Sequence, residues 1–556
     1  MLSSEGQKFT LTSGPRPGVG YSGFCAAAGV NEKAPGMSMI SITSDEFDNA
    51  TAQQARSAVV LVSGAAIVLC AAALLVYGAT SRAVAVPSFA RQTGQPCMSC
   101  HTAFPELTPF GRRFKLGGYT LGGGKGIEDG APPIAAMLVP TFARTRKGQD
   151  APRTTDTHTN NNLVLQQASL FYAGKIYGNL GAFVQTTYDR ASQHFMLDNT
   201  DIRYADTASL GGLEALYGVS LHNGPTVQDV WNTTPAWGYP YVSSSLAPQF
   251  SPPGAQIEGN FAAGAVGTTA YVMLNDTVYI EAGGYHPMSL ALRRALGNPC
   301  ANNAVRVNTQ LAIDAIVNPL NNPPFYPWYG PQGLCSADSL AGFAPYWRVA
   351  IEPNWGPHSL MVGAFGFYPR VNPGSVGGFG VDSYSDLGLD AQYQYIDGPH
   401  ALTLKLSRIV ENQNLQSTFN QGLAVNVLGL PANLAANGGS TNLRNTLTSF
   451  RATAQYVWDH TIAGSVSYFN VHGTNDAVLY GGNSLTNSPN GKGLTFELSY
   501  MPFNKGGPSV WPWANAKIGV QYTHYLQMFG GNGNFDGMFH NASDNDTVLL
   551  YSWIAF

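Results

Sequence analysis

From residue 134 onward the apolar positions recur every second residue. Leu402, Leu404 and Leu406 alternate with Thr403, Lys405 and Ser407, and Leu387, Leu389, Ala391, Tyr393 and Tyr395 alternate with Gly388, Asp390, Gln392 and Gln394. Phe450, Ala452, Ala454, Tyr456 and Trp458, then Leu494, Phe496, Leu498 and Tyr500, repeat the scheme. A period of two with one apolar and one polar face predicts β-strands. Marking every such run predicts strands over 134–145, 163–176, 179–190, 197–207, 212–222, 265–274, 277–286, 345–354, 357–369, 384–395, 399–411, 446–458, 461–473, 491–502, 512–528 and 545–556. About sixteen strands, an even number of spanning length, fit an all-β outer-membrane barrel of porin type.

The connections test that prediction independently. Those after even-numbered strands are short (Tyr177-Gly178, Asn275-Asp276, Trp355-Gly356, Asp459-His460), the longest lying around Lys505. Those after odd-numbered strands include all the long ones, 223–264, 287–344 and 412–445. Long and short segregate to opposite ends, as surface loops and periplasmic turns do in outer-membrane barrels. The chain closes on Tyr551, Ser552, Trp553, Ile554, Ala555 and Phe556, and a terminal aromatic suits the interfacial girdle.

Composition sharpens the picture. Charged residues are 11% of 556, against roughly 25% in soluble domains. Mean hydropathy is −0.06, which excludes a bundle of apolar helices. A net charge of −4 argues against a nucleic-acid partner and leaves outer-membrane lipid as the surrounding phase. One continuous apolar run, Ala58 to Tyr77, follows Arg56 and precedes Ala83, Val84 and Ala85. This predicts a secretory signal cut after Ala85, although the core is long and Asp45, Glu46 and Asp48 precede it. An uncleaved anchor helix is the alternative. Met37 and Met39 are alternative starts, and residues 1–36 carry no interpretable pattern.

The candidate chemistry lies between signal and strands. Cys97, Met98, Ser99, Cys100 and His101 form the attachment signature of c-type haem. Each thiol would add to a vinyl group, placing His101 as proximal iron ligand. A structural zinc site would need further ligands, and the next histidine is His158 with no cysteine between; a redox dithiol would need a βαβ context. One covalent haem c, held by Cys97, Cys100 and His101, is therefore expected. Arg112, Arg113 and Lys115 follow, either to pair with the propionates or to be solvated. The segment of about 45 residues is too small to cover both haem faces, so the barrel is expected to supply the missing wall. The domains expected are a leader and signal over 1–85, a monohaem cytochrome segment over 86–130 plugging the lumen, and a barrel over 131–556. Cys300 and Cys335 remain, either as a disulfide in a surface loop or as unrelated thiols.

The stretch FARQTGQPCMSCHTAFPELTPFGRRFKLGGY resembles the haem region of the outer-membrane monohaem cytochrome-porin fusions that serve as ferrous iron oxidases. Two further pieces resemble that family, Ala168 to Asp189 and Pro225 to Tyr241. The resemblance implies electron transfer from extracellular Fe(II), through a haem on Cys97, Cys100 and His101, to a periplasmic c-type cytochrome or other carrier, hence an Fe(II):cytochrome oxidoreductase. It does not carry a distal ligand. Met98 lies within the attachment turn, and Met137 and His158 are the next candidates along the chain. Asp476, Asp536 and Asp544 are expected as isolated loop acids, and Asp390, Lys405, Arg451, Glu497 and Lys517 as pore-lining residues. Three other readings compete: a transport porin with a structural or sensory haem, an anchored periplasmic cytochrome with a soluble β domain, and a conduit with another donor.

Overall fold

In the computed structural model, residues 87–556 are described except 125–126, 128–129, 150–157, 190–193, 249, 260, 262–263, 298–338, 374–379, 421–438, 508 and 510. They lie in one compact unit spanning Val59–Phe556. The leader and signal, and Cys300 and Cys335, lie outside the described residues.

Sixteen spanning strands are described: β1 Ile134–Thr145, β2 Asn162–Tyr177, β3 Leu180–Asp189, β4 His194–Leu210, β5 Leu213–His222, β6 Ala265–Leu274, β7 Val278–Pro287, β8 Ala344–Ile351, β9 His358–Phe367, β10 Asp382–Asp397, β11 His400–Asn414, β12 Arg444–Trp458, β13 Ile462–Gly473, β14 Gly491–Tyr500, β15 Asn515–Gln527 and β16 Thr547–Ala555. Three pieces of two or three residues, Ser339–Leu340, Asn354–Trp355 and Arg370–Asn372, extend the ladders. Each strand pairs antiparallel with its neighbour in sequence, and β1 also pairs with β16 (Met137 with Ala555, Thr145 with Thr547), so the sheet is closed. Closure removes both sheet edges and satisfies every ladder internally, which spanning strands require. The predicted strands all form; several, among them β4, β10 and β12, run two or three residues further toward the long loops.

Side chains sort by parity. Leu389 is 59% exposed and Leu498 58%, while Asp390 and Glu497 beside them are buried. The exposed set forms an apolar belt, with aromatics at both ends: Tyr177, Trp355, Trp458 and Tyr500 near the short turns, Phe195, Phe343 and Tyr368 near the long loops. This belt with its two girdles is the lipid-facing surface of an outer-membrane barrel. The short turns are tight because their central residues take left-handed backbone, Asn275 and Asp276 at φ 49° and Asp459 and His460 at 50° and 56°.

The lumen is filled. From the short-turn end enters a plug built of α1 Ser88–Thr93, α2 Cys97–Cys100 and α3 Pro109–Leu116. Its own small core is three rings, with Phe89 against Phe114 at 5.0 Å and stacked on Tyr119 at 5.5 Å. The long segment 223–264 occupies the lumen with it: Lys115 Nζ donates to the carbonyls of Val227 at 2.9 Å and Asp229 at 2.7 Å, and the Leu107 amide donates to Asn232 Oδ1 at 3.2 Å.

Candidate functional site

The attachment motif is one helical turn. In α2 the His101 amide donates to the Cys97 carbonyl at 2.9 Å, and the chain then turns back so that the Thr108 amide meets the Cys100 carbonyl at 2.9 Å. Thr108 next caps α3, accepting from the Gly111 amide at 3.1 Å, with Pro109 in the first turn, where its missing N–H costs nothing. Gly111 is required by contact: a Cβ there would stand 2.2 Å from the Cys100 carbonyl oxygen. The sequence T-P-F-G thus sets a helix directly beneath the cysteine turn.

The thiols are unbridged, and Cys97, Cys100 and His101 each keep accessible surface although strands surround them. The Asn515 side chain donates to Cys97 Sγ at 3.2 Å, and the Met98 amide donates to the Asn504 carbonyl at 3.0 Å. Burial raises the Cys97 thiol, with the Asn515 hydrogen bond offsetting it in part, and burial pushes Cys100 to about 12. Among the described residues no group of three or more His, Cys, Asp or Glu gathers as a metal cluster.

His101 is the complement. Burial pushes its imidazole down to about 4, so the ring is neutral, the form that donates a lone pair to iron. Its Nδ1 is buried without a hydrogen bond of ordinary geometry, although the backbone of Pro105 and Glu106 lies close enough to favour a proton on the ring. A carbonyl beside the non-ligating nitrogen is the usual orienting partner of a ligand histidine. Two accessible thiols three residues apart, a neutral imidazole following at once and a glycine clearing the helix below fit a covalent haem.

The cationic run divides: Arg112 and Lys115 are buried against the barrel contents, and Arg113 is exposed in ion pairs at the short turns. Arg112, 2% exposed, ion-pairs with Glu352 and donates to Gln394 Oε1 at 2.7 Å, Gln392 Oε1 at 3.0 Å and Ser359 Oγ at 3.0 Å. Arg113 pairs with Glu214 at 2.6 Å and with Asp276, both beside short turns, while Lys115 holds the 223–264 segment. On the plug's other flank, Ser88 Oγ donates to the Ala173 carbonyl at 2.7 Å and Arg91 to the Ile134 carbonyl at 2.7 Å. Glu106 accepts from Gln392 at 2.8 Å, from Tyr241 and from Lys405. The plug is thereby tied to β1, β2, β9, β10, β11 and β15, all near their short-turn ends.

The inward charges expected to line a pore instead grip its contents. Asp390 pairs with Arg348 at 2.6 Å and accepts from Thr233, Lys405 holds Glu106, and Lys517 pairs with Glu497 at 2.8 Å while donating to the Phe104 carbonyl at 3.3 Å. The loop acids are likewise engaged: Asp536 with His540, and Asp544 in a capping box and with Lys147 at 2.9 Å. His158 is an exposed loop residue after β1, at the end opposite the motif, while Met137 points into the lumen from β1. Sequence reasoning missed Asn504, Trp511 and Asn515, which flank the cysteine turn. Their signal was the one connection among the short turns that is not short, around Lys505.

No family model matches the sequence, and no curated protein matches it. Among solved structures, the chain is similar to the outer membrane channel DcaP of Acinetobacter baumannii (10% identity, TM-score 0.37, covering 76% of this chain and 96% of that one). It is similar to OmpF of Salmonella typhi (12%, 0.37, 76% and 97%) and to an anion-selective porin from Comamonas acidovorans (11%, 0.38, 76% and 98%). The barrel itself rests on its strand register. Fold and lumen together define an outer-membrane β-barrel with an internal plug.

Proposed function

We propose that this chain is an outer-membrane monohaem c-type cytochrome fused to a porin-type barrel, taking electrons from extracellular Fe(II) and passing them to a periplasmic c-type cytochrome or other carrier. The observation that carries the reading is the cysteine turn with His101 held inside a closed barrel by strands on opposite walls. Haem, when bound, supplies one-electron chemistry at its iron.

The chain's own residues do the rest. Cys97 and Cys100 would tether the cofactor, and His101 would supply its imidazole nitrogen to the iron. Phe104, whose ring centroid lies 5.1 Å from that of His101, shields that side from water. Asn515 and Asn504 hold the turn against the β14–β15 connection, at the end where short turns face the periplasm, so the route to a periplasmic acceptor is the shorter one. The 223–264 segment and the buried ion pairs fill the space above, which favours electrons over solutes as the cargo.

Mixing purified full-length protein with Fe²⁺ while following reduced-haem absorbance is expected to show stoichiometric reduction. His101→Ala is expected to abolish it while the barrel stays assembled. Absence of reduction at every pH where the barrel remains folded overturns the iron reading, and reduction by another donor alone moves the protein to a conduit of different substrate.

A further inference from the structure

We infer that the outer wall carries a binding site for one phospholipid of the periplasmic leaflet, whose acyl chain lies in an apolar groove over Gly464 of β13. The inference rests on the barrel alone and not on the haem reading.

Gly464 is the strand glycine that the protein's own packing leaves unexplained. Every other glycine in the described strands is there by contact, since a Cβ on it would stand 2.7 Å or less from another atom. At Gly464 nothing lies within 4 Å of that position, and its backbone is outside the left-handed region. The ladders on both sides run through it without a bulge. A glycine inside a strand weakens it, and with no bend or bulge to explain it, it marks a place where a ligand or another backbone comes close. Its neighbours Ala463 and Ser465 are buried on the inner face, so Gly464 faces the lipid.

Register gives the shape of the gap. Leu402, Tyr456, Gly464, Leu498 and Val520 form one outward row across β11 to β15. Ala454, Val466, Phe496 and Tyr522 form the next row toward the long loops. Between them they line an open groove of about 520 Å³. That is within the roughly 300–1,000 Å³ of small-molecule sites. An aromatic ring can cover a glycine on the facing strand, but Tyr456, directly opposite Gly464, is drawn the other way. Its hydroxyl is hydrogen-bonded to His400 Nδ1 at 2.7 Å, one row nearer the short turns, and the groove stays open.

The surroundings fit a phospholipid. The groove is set in the lipid-facing belt, so a chain in it is continuous with the bilayer. The row with His400, Trp458, Ile462 and Tyr500 is the girdle at headgroup level of the periplasmic leaflet. Beyond it stand exposed Asp397 and the Asp459–Lys505 pair at 2.7 Å, which offer both signs to a zwitterionic headgroup. Within a bilayer, apolar association rests on fit rather than on a hydrophobic drive, and a thin, flexible chain conforms to a groove that a stiff barrel wall cannot enter. A two-fold pair of barrels would set the groove against its own copy and enlarge the void. The groove also backs onto the wall that holds the plug: Val457 and Ala463, on the inner face of the same two strands, pack with Ala103 and Phe104.

Native mass spectrometry of the full-length protein, extracted in mild detergent, is expected to show one retained phospholipid per barrel. Gly464→Leu fills the groove from an outward position with ordinary backbone. It is expected to lower that retention about ten-fold or more while heat-modifiable migration of the barrel is unchanged. Unchanged retention in an assembled Gly464→Leu barrel overturns the site. A second measurement needs no variant: in vesicles of phosphatidylethanolamine and phosphatidylglycerol, a phosphatidylethanolamine with a diazirine on its acyl chain is expected to label 454–466, 496–498 and 520–522 in preference to the rest of the belt. Even labelling around the belt reduces the groove to ordinary bilayer contact and overturns the inference. Cross-links between copies through Val466 or Phe496, with no lipid retained, overturn it in favour of a second copy of the chain.

Discussion

Asp476 accepts from the amides of Thr441, Val478 and Leu479 at 3.0, 3.1 and 3.0 Å, from Asn445 Nδ2 at 3.0 Å and from Ser440. It reads in sequence as an isolated loop acid, and it is in fact the staple joining the loop before β12 to the loop after β13. Burial raises its carboxyl, but hydrogen bonds from Leu479, Ser440, Thr441 and Asn445 outweigh that and hold it below the ordinary carboxylate range. Because its proton is bound less tightly in the folded state, its contribution is fully present above the unfolded value and fades as pH falls through the lower folded one. Asp476→Ala is expected to ease local opening of these loops by roughly 3 kcal/mol, since the donors lose a charged partner. Limited proteolysis of protein in vesicles checks this: cleavage confined to 439–443 and 474–490 with the barrel band intact is expected, and unchanged cleavage rates at neutral pH refute it.

At the scale of elements, strand alternation and loop sorting were legible because both are local. A lipid-facing wall imposes period two on every strand, and two dissimilar ends impose alternating connection lengths. The grip on the plug was not legible, because its partners are remote: Arg112 meets Gln392 and Gln394, and Glu106 meets Lys405, each across more than half of the described chain. Alternation marked Gln392, Gln394 and Lys405 as inward, but nothing local distinguishes a residue facing water in a pore from one facing a plug. The Cys97–His101 motif could be picked out in sequence because it is confined to five consecutive residues, and the structure adds that it forms one helical turn inside the barrel. The helix beneath it gives a test at this same scale. Gly111→Ala would drive α3 off the cysteine turn, at a cost of about 1–3 kcal/mol as in other overpacked contacts. The expected outcome is a lower yield of covalent haem per assembled barrel, measured by haem stain against protein, with heat-modifiable migration of the barrel unchanged. Full haem yield would mean that the plug can shift as a body without disturbing its attachment turn.

For the whole molecule, the position of the motif sets the problem the protein has to solve. An apolar band about 25 Å tall separates the two aqueous phases, and the cysteine turn sits near the short-turn end of it. On the function proposed above, the step to a periplasmic carrier would be short and the step from an outside donor the long one, through a lumen that the segment after β5 occupies down to the plug. Trp231 donates to Glu352 at 2.6 Å, Arg348 bridges Asp229 at 3.7 Å and Asp390 at 2.6 Å, and the Ile257 amide meets Asp386 at 2.8 Å, so this segment is fixed to the wall along its course. An unobstructed barrel of sixteen strands leaves an aqueous channel, and this one is stoppered twice. The intact protein is therefore expected to conduct almost no ions in a planar bilayer, while deletion of residues 87–124 is expected to raise conductance at least about ten-fold and to leave residual block by the inner segment. Steady ohmic conductance by the intact protein would mean that the packing opens in the membrane, and the transport reading would then displace the electron-transfer one.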